Sequence, residues 1–360
     1  MKRWLCLLLL ALLCGKAALA EEVWVEENWR HVQQEEDCGD VRIVVDAQVM
    51  VPAEGAMVQN YHLGRLSSDF MQERGQAIDW ASIGCDTSRG RWRKPNQTFE
   101  ELAFTSGKAI YPYCSIGALG FMDVQAYSPE YIYATAESSA DDVQSIGMEG
   151  LTEAQVESYA AQVAQVCGCR LGRIIRFHQV SDADAVREGM EKANRKSSAA
   201  CRLNSEAAAE YRFAEVYYPV YFQGLRLYSG SYQMAENGIE VPPMLLRMAV
   251  TAGHGLAFAS CPLLDPDTLA PEGEAQAALS PEAAMRCLLD SYETKKQSAY
   301  RKITVYELVL EYLPMTGDVS AKAGYTLCPA WVARCVLETA SGQTIAIEQA
   351  VHAVTGERLL

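Results

Sequence analysis

Cys167-Gly168-Cys169 sets two thiols one residue apart, a spacing that supports thiol–disulfide exchange if one of them ionises readily. Its place at the end of a helical pattern works against that use, because the negative end of a helix dipole disfavours a thiolate. The plainer reading is a buried Cys167, a capping Gly168 and an incidental Cys169. Cys328 and Cys335 recur in LCPAWVARCV, inside an extended run. At about 3.3 Å per residue they stand about 23 Å apart, against the roughly 7 Å between Cα atoms that a disulfide tolerates. Cys335 therefore reads as a core residue beside Trp331.

A second kind of chemistry is binding by cations. RGRWRK puts Arg89, Arg91, Arg93 and Lys94 around Trp92, the densest basic patch of the chain, and such a loop could hold a cell-wall sugar or simply be solvated. Glu307 and Glu311 lie about 13 Å apart along a strand, too far for paired glycosidase carboxylates, so salt pairing to Arg334 is the simpler account. His31, His62, His178, His254 and His352 form no i, i+4 pair and have no Cys-x-x-Cys partner, so zinc is not supported. DPDTLAPEGE at 265–274 offers oxygen ligands, but its prolines and spacing do not fit a calcium loop. No nucleophile elbow, phosphate loop or zinc-hydrolase helix occurs. No catalytic, cofactor-binding or metal-binding residue is assigned.

These residues need elements to position them. DVRIVVDAQVMVP (40–52) alternates as a strand. A short helix is expected within 64–74 and a loop over 82–98, with strands in the Tyr-rich runs 118–127 and 131–136. Thr152 and Gln155 form a capping box ahead of the apolar stripe Val156, Tyr159, Ala160, Val163 and Val166, and Gly168 ends that helix. Ser280 and Pro281 start another, burying Ala284, Met285, Leu288, Leu289 and Tyr292. Hairpins are expected to turn at Gln223-Gly224 and at 252–255. Strands at 302–314, 328–338 and 343–353 make a meander, with Trp331, Ala333, Cys335 and Leu337 facing the core and Arg334 and Glu338 facing a partly wet side. The expected class is α+β: antiparallel sheets each covered by helices, with the two capped helices, 128 residues apart, as equivalent members of two duplicated halves.

The N-terminus reads as a secretory signal over 1–20: Lys2-Arg3, an apolar run from Trp4 to Cys14, then Ala18-Leu19-Ala20. That run of about eleven residues is too short to span a bilayer, and no later one is longer, so no transmembrane helix is expected in the mature chain. Cys14-Gly15 offers lipoprotein attachment as an alternative, although Leu13 is larger than lipoprotein processing prefers. The remaining length exceeds one usual domain, and the division expected is 21–205 and 206–360. Net charge is −15 for the whole chain, and more negative once Lys2, Arg3 and Lys16 are removed, which excludes a general nucleic-acid binder. The cysteines beyond the signal are scattered at irregular intervals, unlike the dense framework of a small stapled domain.

The C-terminal pieces taken together, LSPEAAMRCLLDSY, ITVYELVLEYLP, LCPAWVARCVL and AVHAVTGERL, resemble the YycI-like regulatory domains of exported Gram-positive proteins. YYPVYFQGLRLYSG and GHGLAFASCPLL extend the likeness to residues 210–360. With the signal and the Leu151-Thr152 helix, the chain resembles uncharacterised exported or lipoprotein-type proteins of clostridial-type bacteria. The resemblance implies an extracytoplasmic, non-enzymatic binding or regulatory protein whose partner is an envelope or membrane protein. The chain departs from those membrane-anchored relatives in lacking a retained anchor. The alternatives are a secreted thiol–disulfide enzyme using Cys167 and Cys169, and a wall-binding module using the Arg89–Lys94 loop.

Overall fold

A computed structural model of the chain describes residues 24–38, 41–50, 56–64, 92–93, 103–104, 108–113, 118–123, 126–128, 131–132, 135, 144–195, 202–235, 238–264, 266–293, 300–316 and 324–360. Residues 1–20, where a secretory signal is expected, with Cys14, the short helix expected within 64–74 and most of the loop expected over 82–98 lie outside these residues. The principal elements, in chain order, are β1 (Trp29–Cys38), β2 (Val41–Met50), β3 (Met57–Leu63), β4 (Lys108–Tyr113), β5 (Ala118–Asp123), α1 (Glu153–Cys167), β6 (Arg176–Val180), α2 (Ala183–Asn194), β7 (Phe213–Phe222), β8 (Leu225–Leu227), β9 (Leu245–Thr251), β10 (Gly255–Pro262), β11 (Leu269–Ala277), α3 (Pro281–Glu293), β12 (Tyr300–Met315), β13 (Tyr325–Thr339) and β14 (Thr344–His352).

The protein is mostly β, 53% strand against 21% helix, which overturns the expected α+β class and its repeated helix-on-sheet halves. Two physical features explain the miss. β1 and β11 are polar, exposed strands (WRHVQQEEDC and LAPEGEAQA) that carry no apolar alternation to betray them. The sheets are also not purely antiparallel, since β12 pairs in parallel with both β2 and β8. A smaller correction concerns 131–136: Tyr131, Ile132 and Thr135 are helical, not extended.

The chain divides into two compact units, each drawn from three stretches: Met1–Val25, Leu66–Tyr221 and Leu245–Leu264 in the first, and Glu26–Arg65, Phe222–Met244 and Asp265–Leu360 in the second. In the first unit, antiparallel strands run in the order β6–β7–β9–β10–β5–β4. The hairpin β9–β10 turns at 252–254, as the sequence leads one to expect. α1 has the expected capping box. The Gln155 N–H donates to Thr152 Oγ1 at 3.3 Å and the Thr152 N–H to Gln155 Oε1 at 2.8 Å. It ends at Gly168, whose φ of 67° is the left-handed conformation that glycine adopts without a Cβ clash. A core cluster centred on Tyr131, Ile132, Val186, Met190 and Phe213 holds α2 to this unit.

The second unit is organised on the antiparallel pair β12–β13, of 16 and 15 residues. Strands that long, about 50 Å, accumulate enough twist to change neighbours along their length. The first part of β12 pairs with β2 and the last with β8, while β13 pairs first with β3 and then with β14. A bulge at Val305/Glu307 leaves Tyr306 unpaired and exposed, which separates it from the face of Leu308 and Leu310 that simple alternation assigns to it. β13 is buried over most of its length, on both sides, so Arg334 is a buried residue and not one on a wet face.

Candidate functional site

The second unit carries a groove of about 460 Å³ whose walls can be traced to strand register. Arg30 of β1 stands opposite Val49 of β2, and Val49 opposite Leu308 of β12, forming one rung across three strands. Side chains alternate across a strand, so Arg30, Val32, Gln34 and Glu36 share the face of that rung and line the groove along β1. The facing wall is α3. Its Glu282, Met285, Arg286, Leu289 and Asp290 fall at helical spacings that place them on one side. The start of α3 is fixed by Ser280, whose Oγ accepts the Ala283 N–H at 3.2 Å, and by the Trp331 indole N–H, which donates to the Leu279 carbonyl at 3.1 Å.

The groove thus has an apolar floor of Val49, Met285, Leu289 and Leu308 and a charged rim. Arg30 pairs with Glu282 on that rim; the backbone N–H of Glu282 first, and the Arg30 hydrogen bond second, hold its carboxyl below its ordinary range against the upward push of burial. Arg286, Glu36 and Asp290 complete the rim, which has one more acidic than basic group. The acidic run Glu35-Glu36-Asp37 continues along β1.

The opposite face of β12, together with β13 and β14, carries a buried charge cluster. Glu307 of β12 and Glu348 of β14 flank Arg334 in register across β13. Arg334 donates through Nη1 to Glu307, through Nε to Glu348 at 3.1 Å, and through Nη2 to both oxygens of Glu311 at 3.2 Å. The segment after β8 closes over them. Ser229 Oγ donates to Glu311 at 2.7 Å, and Glu348 accepts from Tyr228 Oη, the Ser231 N–H at 3.0 Å and Gln233 Nε2 at 3.2 Å. Burial, followed by the nearby Glu348 charge, raises the Tyr228 hydroxyl far above its ordinary value. Glu311 and Glu348 spend their lone pairs on internal donors, so this cluster fixes strand positions. The salt pairing of Glu307 and Glu311 to Arg334 is the arrangement read from the sequence.

The sequence-derived candidates sit elsewhere. Cys167 and Cys169 are buried in the first unit, beside the fully buried Cys261. Hydrogen bonds from Cys167 and Cys169, together with burial, push the Cys261 thiol well above its ordinary range, the opposite of what a nucleophilic thiol requires. Cys328 and Cys335 are buried thiols of β13, each pushed up to about 12 by burial. Of the basic loop, Trp92 and Arg93 form a two-residue strand against Ala103–Phe104, while Arg89, Arg91 and Lys94 lie outside the described residues. Among the described residues no group of three or more His, Cys, Asp or Glu is placed to hold a metal. No described helix is long and apolar enough to cross a membrane. Sequence reasoning missed the groove because β1 carries no apolar alternation, so residues 29–38 were assigned no element. The signal present was the stripe of Met285 and Leu289 on α3, which was assigned wholly to the core.

No protein-family model matches the chain, and no curated protein matches it. Among solved structures it is similar to an uncharacterized protein from Eubacterium rectale ATCC 33656, with a TM-score of 0.52 at 13% identity over 96% of this chain and 98% of that one. At that identity the likeness concerns the fold alone.

Proposed function

We propose that this is an exported, non-enzymatic binding protein, and that the groove between β1 and α3 receives an extended segment of a partner protein outside the membrane. The observation that supports this is the position of β1. Among the described residues β1 pairs with β2 alone, so its outer edge offers unpaired backbone N–H and C=O groups along the same strand that walls the groove. A segment added to that edge would satisfy those groups and send every second side chain over the groove. Its apolar side chains would meet Val49, Met285, Leu289 and Leu308, and basic ones would meet Glu36 and Asp290. The charge of β1 also says which occupant to expect. A second copy of the chain would set Glu35-Glu36-Asp37 against an equally acidic surface, whereas a segment alternating apolar and basic residues complements it.

The extracytoplasmic setting rests on the signal-like N-terminus, and the partner class, an envelope or membrane protein, on the YycI-like resemblance of residues 210–360. The enzymatic alternative gains nothing from Cys167 and Cys169, which are buried.

The test is selection of peptides from a random library on the purified protein, followed by calorimetry and hydrogen exchange. Peptides alternating apolar and basic residues are expected, with slowed exchange at β1 amides and at least tenfold weaker binding to the Val32→Asp variant. Peptides that bind this variant as well as wild type, or that leave β1 exchange unchanged, would sink the proposal.

A further inference from the structure

Two thiols one residue apart, Cys167 and Cys169, meet the distant Cys261 inside the first unit, and their geometry follows from how α1 ends. Cys167 is the last helical residue. The left-handed Gly168 then reverses the chain, and the Cys169 N–H donates back to the Ala164 carbonyl at 3.0 Å. This turn carries Cys169 out of the helix and onto β10, where Cys261 is fully buried. The Sγ atoms of Cys169 and Cys261 lie 3.4 Å apart, across a chain separation of 92 residues.

We infer that Cys169 and Cys261 become a disulfide in the oxidised protein, leaving Cys167 as a free thiol in the same pocket. Closing 3.4 Å to the S–S bond length of about 2.05 Å needs a movement of about 1.4 Å, within reach of side-chain rotation and a small backbone adjustment. Cys169 is the member able to make it, because its backbone has left the helix. Cys167 is held in the last turn, its Cα–Cβ bond fixed by helix geometry.

The oxidant is a low-molecular-weight disulfide. The Cys169 thiolate attacks one of its sulfurs, forms a mixed disulfide and releases one thiol. The Cys261 thiolate then attacks the Cys169 sulfur, forms the protein disulfide and releases the second thiol. Two protein thiols lose two electrons and two protons, and one small disulfide becomes two small thiols. Because the assembled cluster is buried and its Cys261 thiol is held protonated, exchange takes place before α1 docks or while its last turn is open. The finished bond ties the end of α1 to β10. The inference is independent of the groove on the second unit.

The experiment refolds the full chain in a buffer of oxidised and reduced glutathione, alkylates the remaining thiols under denaturing conditions and maps non-reduced peptides by mass spectrometry. A linked peptide joining Cys169 to Cys261, with Cys167 alkylated, is expected. Closing a loop of that size implies a fall in melting temperature on the order of 10 °C on reduction. Cys167→Ala should keep both the link and the reductant-sensitive shift, and Cys261→Ala should lose both. Alkylation of all three thiols in the wild-type chain, or a link through Cys167, would overturn the assignment whether or not the variants fold.

Discussion

The two units each bury a polar cluster, and the two clusters are built on opposite plans. In the first unit one carboxylate is the hub. Glu215, 1% exposed, has His178 Nε2 at 3.0 Å and accepts from Arg247 Nε at 2.5 Å, while both partners keep about a quarter of their side chains in water. In the second unit one cation is the hub, and Arg334 holds Glu307, Glu311 and Glu348. The difference lies in what is left behind when the hub is removed. Losing Glu215 leaves the Arg247 guanidinium and the His178 ring, which already reach solvent. Losing Arg334 leaves carboxylates of which one, Glu311, has no access to solvent at all. The first design tolerates loss and the second does not, because the cost of a stranded charge is set by its hydration.

That contrast can be broken most directly at Arg334. Arg334→Met should cost about 3–5 kcal/mol in chemical denaturation, since a buried pair deprived of one partner keeps the desolvation and loses the compensation. Adding Glu311→Gln should recover part of the loss, because residues in one network couple. A loss below about 1 kcal/mol would remove Arg334 from its role as hub.

Glu215→Gln should cost less, about 1–3 kcal/mol. Its effect should depend on pH in a defined direction. Burial pushes the Glu215 carboxyl up, but the His178 hydrogen bond and the charges of Arg247 and His178 outweigh it, and the net shift is downward from 4.5. A carboxyl whose folded value is depressed stabilises the protein above its unfolded value and loses that contribution as pH falls through the folded one. Denaturation midpoints of the wild type should therefore drop relative to the variant as the solution is acidified below that ordinary value. Equal slopes for the two would contradict the arrangement.

Gly230→Ala sharpens the comparison from the backbone side. A Cβ at Gly230 would sit 2.2–2.5 Å from the Glu348 carboxylate. A free glutamate could swing aside, but Glu348 is held by Tyr228, Ser231, Gln233 and Arg334. An overpacking cost of about 1–3 kcal/mol is expected in thermal denaturation, and a neutral result would mean the cluster is looser than its bonds imply. Smallest of all should be Arg30→Ala. It breaks an exposed ion pair with Glu282 and should change stability by less than about 1 kcal/mol, so that any larger effect on peptide binding reports on the groove itself.

Much of the local structure was legible in the residues. The capping box of Thr152 and Gln155, the left-handed stop at Gly168, the Ser280 start of α3, the turn at 252–254 and the meander β12–β13–β14 all follow from signals a few residues long. The candidate site was not legible in the same way. Met285 and Leu289 were visible as an apolar stripe, but their neighbour β1 has Val32 as its one apolar residue between Arg30 and Asp37, and it is a strand because β2 pairs with all ten of its positions. Polar edge strands take their identity from a partner, so residues 29–38 offered no strand signal, and without such strands the fold class leaned toward α+β.

The sequence by itself determined the caps, turns and apolar runs, because backbone propensity, side-chain capping and alternation act over two to seven residues. The tertiary structure decided which strand lies beside which, and with that the parallel contacts of β12, the groove on β1, the three carboxylates around Arg334 and the meeting of Cys169 with Cys261. Those contacts join residues up to 252 positions apart, as Arg30 and Glu282 are. Their selection depends on the register and twist of whole strands, which no short window of sequence encodes.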